Sequence, residues 1–232
     1  MGRTLCASDI HGSWKVWEAI KNELKPDDTL YILGDCADRG KRGWDIIKEA
    51  INHPQVIYLK GNHEEMLADA ILEARESDMF GRAYYLLASN GGSITYSGWV
   101  DDGCYTEWAN KLKSLPCFKI YKNKQGQVIY LSHAGFTPYW GEDKVDEDNL
   151  LWSRDHFLDG WPEDQYLANS FIIHGHTPIP YLVEDLGIIR EAPMGQPYWY
   201  CNGHKCCIDN LTAFTKEAIL LDLDTFDHIL VK

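Results

Sequence analysis

Thr4-Leu5-Cys6-Ala7-Ser8-Asp9-Ile10-His11-Gly12 is a short apolar run that ends in an aspartate and a histidine two positions apart, closed by a glycine. An apolar run of this length, bounded by a turn residue, reads as a buried strand. Both polar side chains then sit at its carboxyl end. The pattern recurs along the chain. Residues 30–33 run into Gly34-Asp35, with Asp38 just beyond, and residues 56–59 run into Gly61-Asn62-His63-Glu64. Residues 128–131 precede His133, and residues 171–173 precede His174-Gly175-His176. Between the early runs, Trp14, Trp17, Ile20 and Leu24 recur at helical spacing before Pro26. Ile46, Ile47, Ala50 and Ile51 do the same before His53-Pro54. Strand–helix–strand alternation predicts an α/β fold, and in such folds sites form at the carboxyl ends of strands. Ligand-type clusters on these strand ends are therefore expected to converge.

A helix follows Asn62 to about Ala74, and residues 77–115 are expected to be largely helical, with a turn at Asn90-Gly91-Gly92. Residues 118–121 and 128–131 flank Lys122-Asn123-Lys124-Gln125-Gly126, which predicts a hairpin. The acidic stretch 141–149 is expected to be a surface loop, and 187–203 a long loop or strand edge. Residues 218–223 and 228–231 read as a terminal antiparallel pair. With no repeat, low-complexity tract or linker, residues 1–232 are expected to form a single domain.

Composition narrows the class. Apolar residues make up 45% of the 232 positions, enough for a sizeable core. Thirty-five Asp and Glu against 22 Lys and Arg give a net charge of −13, which repels nucleic-acid backbones, and no local basic run offsets it in the sequence. No membrane-spanning run or leader segment is seen, so a cytoplasmic protein with neither nucleic-acid nor membrane partners is expected. The seven cysteines are odd in number and scattered, which predicts free thiols. Cys201, His204, Cys206 and Cys207 lack the paired spacing of a structural zinc motif, and the three cysteines read as buried thiols.

Carboxylate, amide and imidazole donors together suit divalent cations such as Mn, Fe or Zn. Asp9 and His11 can turn onto one ion, Asp35 is suited to bridge two, and Asn62, His133 and His176 would complete the second. Two such ions polarise phosphoryl oxygens and generate a hydroxide near neutral pH. His63 and Asp38 are then candidates for protonating a leaving group, the carboxylate orienting the imidazole. Arg39, and a distant partner such as Arg154, can hold a phosphate bidentately.

Asp9-Ile10-His11-Gly12, Gly34-Asp35-Cys36-Ala37-Asp38-Arg39-Gly40 and Gly61-Asn62-His63-Glu64 resemble the three signature motifs of the phosphoprotein phosphatase family within the calcineurin-like metallophosphoesterases. Ser132-His133-Ala134-Gly135 resembles the fourth, and Gly175-His176-Thr177-Pro178 the fifth, as found in the bacterial and phage-lambda-type branch. Leu150-Leu151-Trp152-Ser153-Arg154 is similar to that branch's phosphate-contacting segment, and the stretch ending at Asn90-Gly91-Gly92 also resembles it. The resemblance spans about residues 5 to 180. It selects His176 over His174 as the ligand and leaves His174 to the core or to a supporting role. Ser8 stands where the family has glycine, and Cys207-Ile208-Asp209-Asn210 matches only in part.

The family implies a four-layer αββα sandwich with the dinuclear site at its centre, and two divalent ions, Mn²⁺ foremost with Fe or Zn as alternatives. It also implies hydrolysis of phosphate monoesters without a covalent intermediate. The expected activity is a serine/threonine-type protein phosphatase working by in-line attack of a metal-bridging hydroxide on a phosphorylated protein or small phosphoester. A dinucleoside polyphosphate hydrolase, of the diadenosine tetraphosphate type, is the alternative. A nuclease is disfavoured by Thr177-Pro178 where a second histidine would stand, and a catalytically silent scaffold by the completeness of the ligand set.

Overall fold

The computed structural model describes residues 2–76, 80–136, 146–161, 167–184 and 193–232. One five-stranded sheet contains β1 (Thr4–Ala7), β2 (Thr29–Ile32) and β3 (Val56–Tyr58), linked by α1 (Trp14–Glu23) and α2 (Gly43–Asn52). α3 (Asn62–Glu76), α4 (Arg82–Ser89), α5 (Ser93–Asp101) and α6 (Glu107–Lys113) follow. The second sheet comprises β4 (Phe118–Lys122), β5 (Val128–Ser132), β6 (Ser170–His174), β7 (Tyr198–Tyr200) and β8 (Lys205–Cys207), with α7 (Glu147–Trp152) between β5 and β6. β9 (Ala218–Asp222) and β10 (His228–Val231) return to the first sheet as the predicted antiparallel pair. The strand orders are β10-β9-β1-β2-β3 and β4-β5-β6-β8-β7.

The period-2 alternation of strand side chains builds the layers. Leu5, Ala7, Leu30, Ile32 and Leu220 face the buried stripe of the helices, including Val16, Trp17 and Ile20 of α1 and Ile46, Ile47 and Ala50 of α2. Their neighbours Cys6, Tyr31, Leu33, Ile219 and Leu221 face the other way, onto Ile129, Leu131, Ile173 and Cys206 of the second sheet. On that sheet's outer face Ile172 packs with Phe136 and with Leu150 of α7. Helices, sheet, sheet and helix make the expected αββα order. No helix among the described residues is long and apolar enough to cross a membrane.

β1, β2 and β3 run parallel, as do β5, β6 and β8. The ligand-type clusters therefore leave two sheets, rather than one, at a common edge. Two hydrogen bonds tie the sheets there: His133 Nδ1 donates to Leu33 O (2.7 Å), and the His176 amide to Asp9 Oδ2 (3.0 Å).

Two local expectations change, and a third is met where the structure describes it. The loop expected at 141–149 ends early, because Asp146 accepts from the Asn149 amide (2.8 Å) and caps α7, which starts at Glu147; residues 141–145 lie outside the described residues. β8, formed by Lys205, Cys206 and Cys207, was not expected, since it carries none of the β-branched or aromatic residues that mark a strand. In the region read as a loop or strand edge, β7 forms the edge of the second sheet, while residues 187–192 lie outside the described residues. All seven thiols are free; Cys206 and Cys207 are buried as expected, whereas Cys201 is only half-buried.

Candidate metal centre

The strand-end loops are bent tightly. Asp9 (φ 54°), His11 (45°), Asp35 (55°), Asp38 (67°), Arg39 (60°) and His176 (67°) all adopt left-handed backbone, half of the non-glycine residues that do so among those described. Each such residue costs on the order of 1 kcal/mol and persists only where its surroundings dictate it. The surroundings here are the loops themselves. The amides of Asp9, His11 and Gly12 donate to Gly34 O (3.2 Å), Asp35 O (2.9 Å) and Cys36 O (2.9 Å).

Glu64 supplies the rest. Its buried carboxylate accepts from the amides of Asp35 (2.8 Å), Cys36 (3.0 Å), Ala37 (3.1 Å) and Gly61 (3.0 Å), and from the Tyr58 hydroxyl (2.9 Å). A glutamate in the first turn of α3 reads from sequence as a cap for its own helix. Its role in holding the loop after β2 has no local sequence signal.

Asp35 is the hub. Its Oδ2 lies 3.4 Å from His133 Nε2 and 3.8 Å from the Nε2 atoms of both His11 and His63. Two groups of ligand-type side chains share it: His11, Asp35 and His63 on one side, and Asp35, His133 and His176 on the other. Asn62 Oδ1 lies 2.9 Å from His133 Nε2 and 3.1 Å from His176 Nδ1, within the second group. Asp9 stands at the edge of the first, its Oδ1 3.9 Å from His11 Nε2. Its other oxygen is taken by the His176 amide and by the hydroxyl of Ser8, so Ser8 in place of glycine gives Asp9 an orienting bond. This crowding leaves no room for a Cβ at Gly175, which would collide with Ser8 and the Asp9 carboxylate.

The imidazoles are oriented from behind. His11 Nδ1 donates to Ala37 O (2.8 Å) and His133 Nδ1 to Leu33 O (2.7 Å), which turns both Nε2 atoms toward Asp35. His63 Nδ1 is 2.6 Å from Asp38 Oδ2, and the Asp38 amide donates to Thr95 Oγ1 (2.8 Å). The Asn90-Gly91-Gly92 turn packs here too, with Gly91 O accepting from the Arg39 amide (3.1 Å). Arg154 is exposed beside the site, its Nε donating to Thr177 Oγ1 (3.3 Å), next to His176.

Burial disfavours every charge in this cluster, and the neighbours decide which survive. At Asp35 the imidazoles of His133 and His63 outweigh burial and hold the carboxyl well below its usual range. Asp35 in turn pushes His133 up to about 10 against the effect of burial. Burial drives His11 down to about 3 and His176 well below its usual value, leaving both neutral. His63 is raised, because Asp35 and the bond to Asp38 overcome its burial.

The sequence profile of the calcineurin-like phosphoesterases matches residues 2–207. The chain belongs to that family. The phosphoesterase is 30% identical to serine/threonine-protein phosphatase 2 of Salmonella typhimurium over 186 residues, 75% of this chain and 78% of the relative. It is 24% identical over 144 residues to the symmetrical bis(5'-nucleosyl)-tetraphosphatase of Delftia acidovorans, 60% of this chain and 47% of the relative. A solved cold-active protein tyrosine phosphatase superposes with a TM-score of 0.59 at 17% identity, covering 99% of this chain and 76% of the other.

The residues of this hydrolase fit the divalent cations that its family uses. The Asp35–histidine separations of 3.8 Å are too long for hydrogen bonds, and His176 Nε2 is buried without a partner. The Asp35 carboxylate and the His11 and His63 imidazoles, turned toward one another without bonding, make with Asn62, His133 and His176 a set that a cation completes. The structure brings Asp9, His11, Asp35, Asn62, His63, His133 and His176 together. Against expectation, it groups His63 with His11 and Asp35 more closely than Asp9. His174 lies outside both groups and bonds to Tyr200 Oη (2.7 Å). Asp209, to which the sequence reading gave no role, is buried, and its carboxyl is held well up by burial and by the nearby Asp9 charge.

Proposed function

We propose that this phosphoesterase is a serine/threonine-type protein phosphatase that holds two divalent cations, Mn²⁺ foremost, in a cytoplasmic single-domain chain. Asp9, His11 and Asp35 would hold one ion, and Asp35, Asn62, His133 and His176 the other. When bound, the ions polarise the phosphoryl oxygens and make water a stronger nucleophile near neutral pH. The observation that carries the reading is the Asp35 carboxylate, shared by two ligand groups and flanked by the His63–Asp38 pair.

The chain's own residues divide the remaining work. Arg39 and Arg154 bind the phosphoryl oxygens from opposite loops, and their planar forks favour the in-line orientation. His63, raised toward the protonated state, presents Nε2 as the donor to the leaving oxygen, while Asp38 holds the opposite ring nitrogen. The Salmonella typhimurium relative supports the protein-phosphatase reading. The Delftia acidovorans relative supports a second, in which a dinucleoside tetraphosphate is the substrate.

The test is turnover of an aryl phosphate, a phosphothreonine peptide and a dinucleoside tetraphosphate by chelator-stripped protein as Mn²⁺ is added back. Activity on the peptide that appears with Mn²⁺ and disappears in Asp35→Asn is the expected result. A metal-independent rate, or a dinucleoside tetraphosphate preferred over the peptide, overturns it.

A further inference from the structure

In a chain with net charge −13, one cleft beside the centre has the opposite sign. Lys15, Arg39, Lys41, Arg42 and Lys216 line a space of about 490 Å³ at the start of α1, and no carboxylate lines it. Arg42 is fixed there: its guanidinium stacks 3.5 Å from the Trp14 ring centroid, and its Nε donates to Asp45 (2.7 Å). Lys216 donates to Ala213 O. Lys15, Arg39 and Lys41 are exposed and make no ion pair among the described residues. A solvated face of this protein should carry both signs, with acids in excess.

A second observation points into the same space. Ser13 lines the cleft, is 9% exposed, and has a hydroxyl with no hydrogen-bond partner. It is also the N-cap of α1, a ten-residue helix, yet its side chain caps nothing. An N-cap serine ordinarily accepts from the second or third helical amide. The Trp14 amide already donates to Gly12 O (3.1 Å), but the hydroxyl and the amides of Lys15 and Val16 have no partner among the described residues, at the helix end whose dipole favours negative charge.

We propose that this cleft is an accessory anion site, which takes a second phosphoryl or carboxylate group carried by the same substrate as the ester. Arg39 makes the connection, since it lines the cleft and directly follows Asp38 of the acid pair. The ammonium groups of Lys15 and Lys41 and the amides of the first turn of α1 that lack a partner receive the second anion, while Arg39 holds the first at the cations. The proposal rests on phosphoester hydrolysis at the centre above, with either substrate class, and adds to it a preference for multiply anionic substrates.

The experiment measures kcat/KM with Mn²⁺ for wild type and for the Lys15→Glu/Lys41→Glu double variant. The substrates are an aryl phosphate, a phosphothreonine peptide with neutral flanks, the same peptide with acidic or second phosphothreonine flanks, and a dinucleoside tetraphosphate. Wild type is expected to favour the anionic flanks by about tenfold, roughly 1.4 kcal/mol, chiefly through KM. The preference should fade with added salt and collapse in the double variant, whose aryl phosphate turnover reports on the metal centre alone. A preference seen only for the tetraphosphate sustains the anion site and assigns the second anion to a nucleotide. Equal turnover of neutral and anionic substrates by wild type, or a preference that survives in the double variant, overturns the site while leaving the phosphatase reading intact. Failure of wild type on every substrate removes that reading and the accessory site with it.

Discussion

The molecule buries two histidine clusters side by side, and only one has the makings of a metal centre. In the first, His11 and His63 pack 4.8 Å apart and His133 and His176 5.0 Å apart, all gathered about Asp35. In the second, His156 and His174 pack 4.7 Å apart about Tyr200. There His156 Nδ1 donates to Tyr200 Oη (3.0 Å), which donates onward to His174 Nε2 (2.7 Å), while His174 Nδ1 donates to Gly175 O (3.1 Å). Density of histidine does not separate the two. A phenol and a carbonyl occupy both nitrogens of His174 and Nδ1 of His156, although His156 Nε2 is buried without a partner, whereas the first cluster turns the Asp35 carboxylate toward the Nε2 atoms of His11 and His63 at 3.8 Å, too far to bond. Its backbone is forced left-handed at His176, while His174, two residues earlier, completes a regular strand.

The largest predicted effects strike the difference directly. Asp35→Asn removes the carboxylate common to both ligand groups, so Mn²⁺-dependent turnover of an aryl phosphate should fall by more than about 10³, with loss of bound metal by elemental analysis. His174→Gln should leave both measurements within about threefold. A variant at His174 that lost metal as Asp35→Asn does would erase the distinction. Next comes His63→Asn, expected to cost about 10²–10⁴ in kcat with metal content retained. The cost should be smaller for aryl phosphates with acidic leaving groups, which need no proton. If His63→Asn instead loses one ion, its closeness to His11 and Asp35 reflects ligation, and Asp9 is the residue displaced.

Much of this was legible in the sequence, and the reasons are specific. Leu5, Cys6 and Ala7 are apolar because both faces of β1 are buried, and the strand must stop where Asp9 begins. That is why ligand types at strand ends could be recognised without a structure. Choosing between His174 and His176 was not a matter of period or spacing; it came from resemblance, and the geometry agrees because only His176 leaves the strand. What stayed hidden acts across distance. Glu64 bonds to amides 27 to 29 residues away, and Ser13 looks like any N-cap until its hydroxyl proves to have no partner. The basic cleft draws on residues from 15 to 216 and so leaves no local charge run in an acidic chain.

Stability should separate the clusters by a smaller margin. Glu64→Ala leaves four buried amides and the Tyr58 hydroxyl without their acceptor. Orphaned buried donors cost about 1–3 kcal/mol each, so urea denaturation of the metal-free protein should show a loss of at least about 4 kcal/mol. Tyr200→Phe removes one hydroxyl from the second cluster and is expected to cost about 1–3 kcal/mol by the same reasoning, with kcat unchanged. Equal losses would mean that the loops of the metal centre are held by packing, and that Glu64 is incidental to them.

The finest discrimination comes from pH. Burial drives His174 down to about 3 and His156 well below its usual value, so both are neutral in the folded protein and take up protons on unfolding. A lowered histidine contributes stability that is fully present above its unfolded value of 6.5 and is lost as pH falls toward the folded value. Each such histidine adds a slope of about 1.4 kcal/mol per pH unit in that window. His133 has the opposite sign: raised to about 10 in the metal-free protein, it stabilises below 6.5 and loses that contribution as pH climbs. Denaturant titrations of the metal-free protein at pH 4.5, 5.5, 6.5, 7.5 and 8.5 should therefore find His174→Gln less steeply pH-dependent than wild type below pH 6.5, by about one proton. His133→Gln should instead flatten the profile above pH 6.5. If both substitutions altered the same side of neutrality, the two clusters would not differ in charge state, and carboxylates would not be what distinguishes the metal centre from its neighbour.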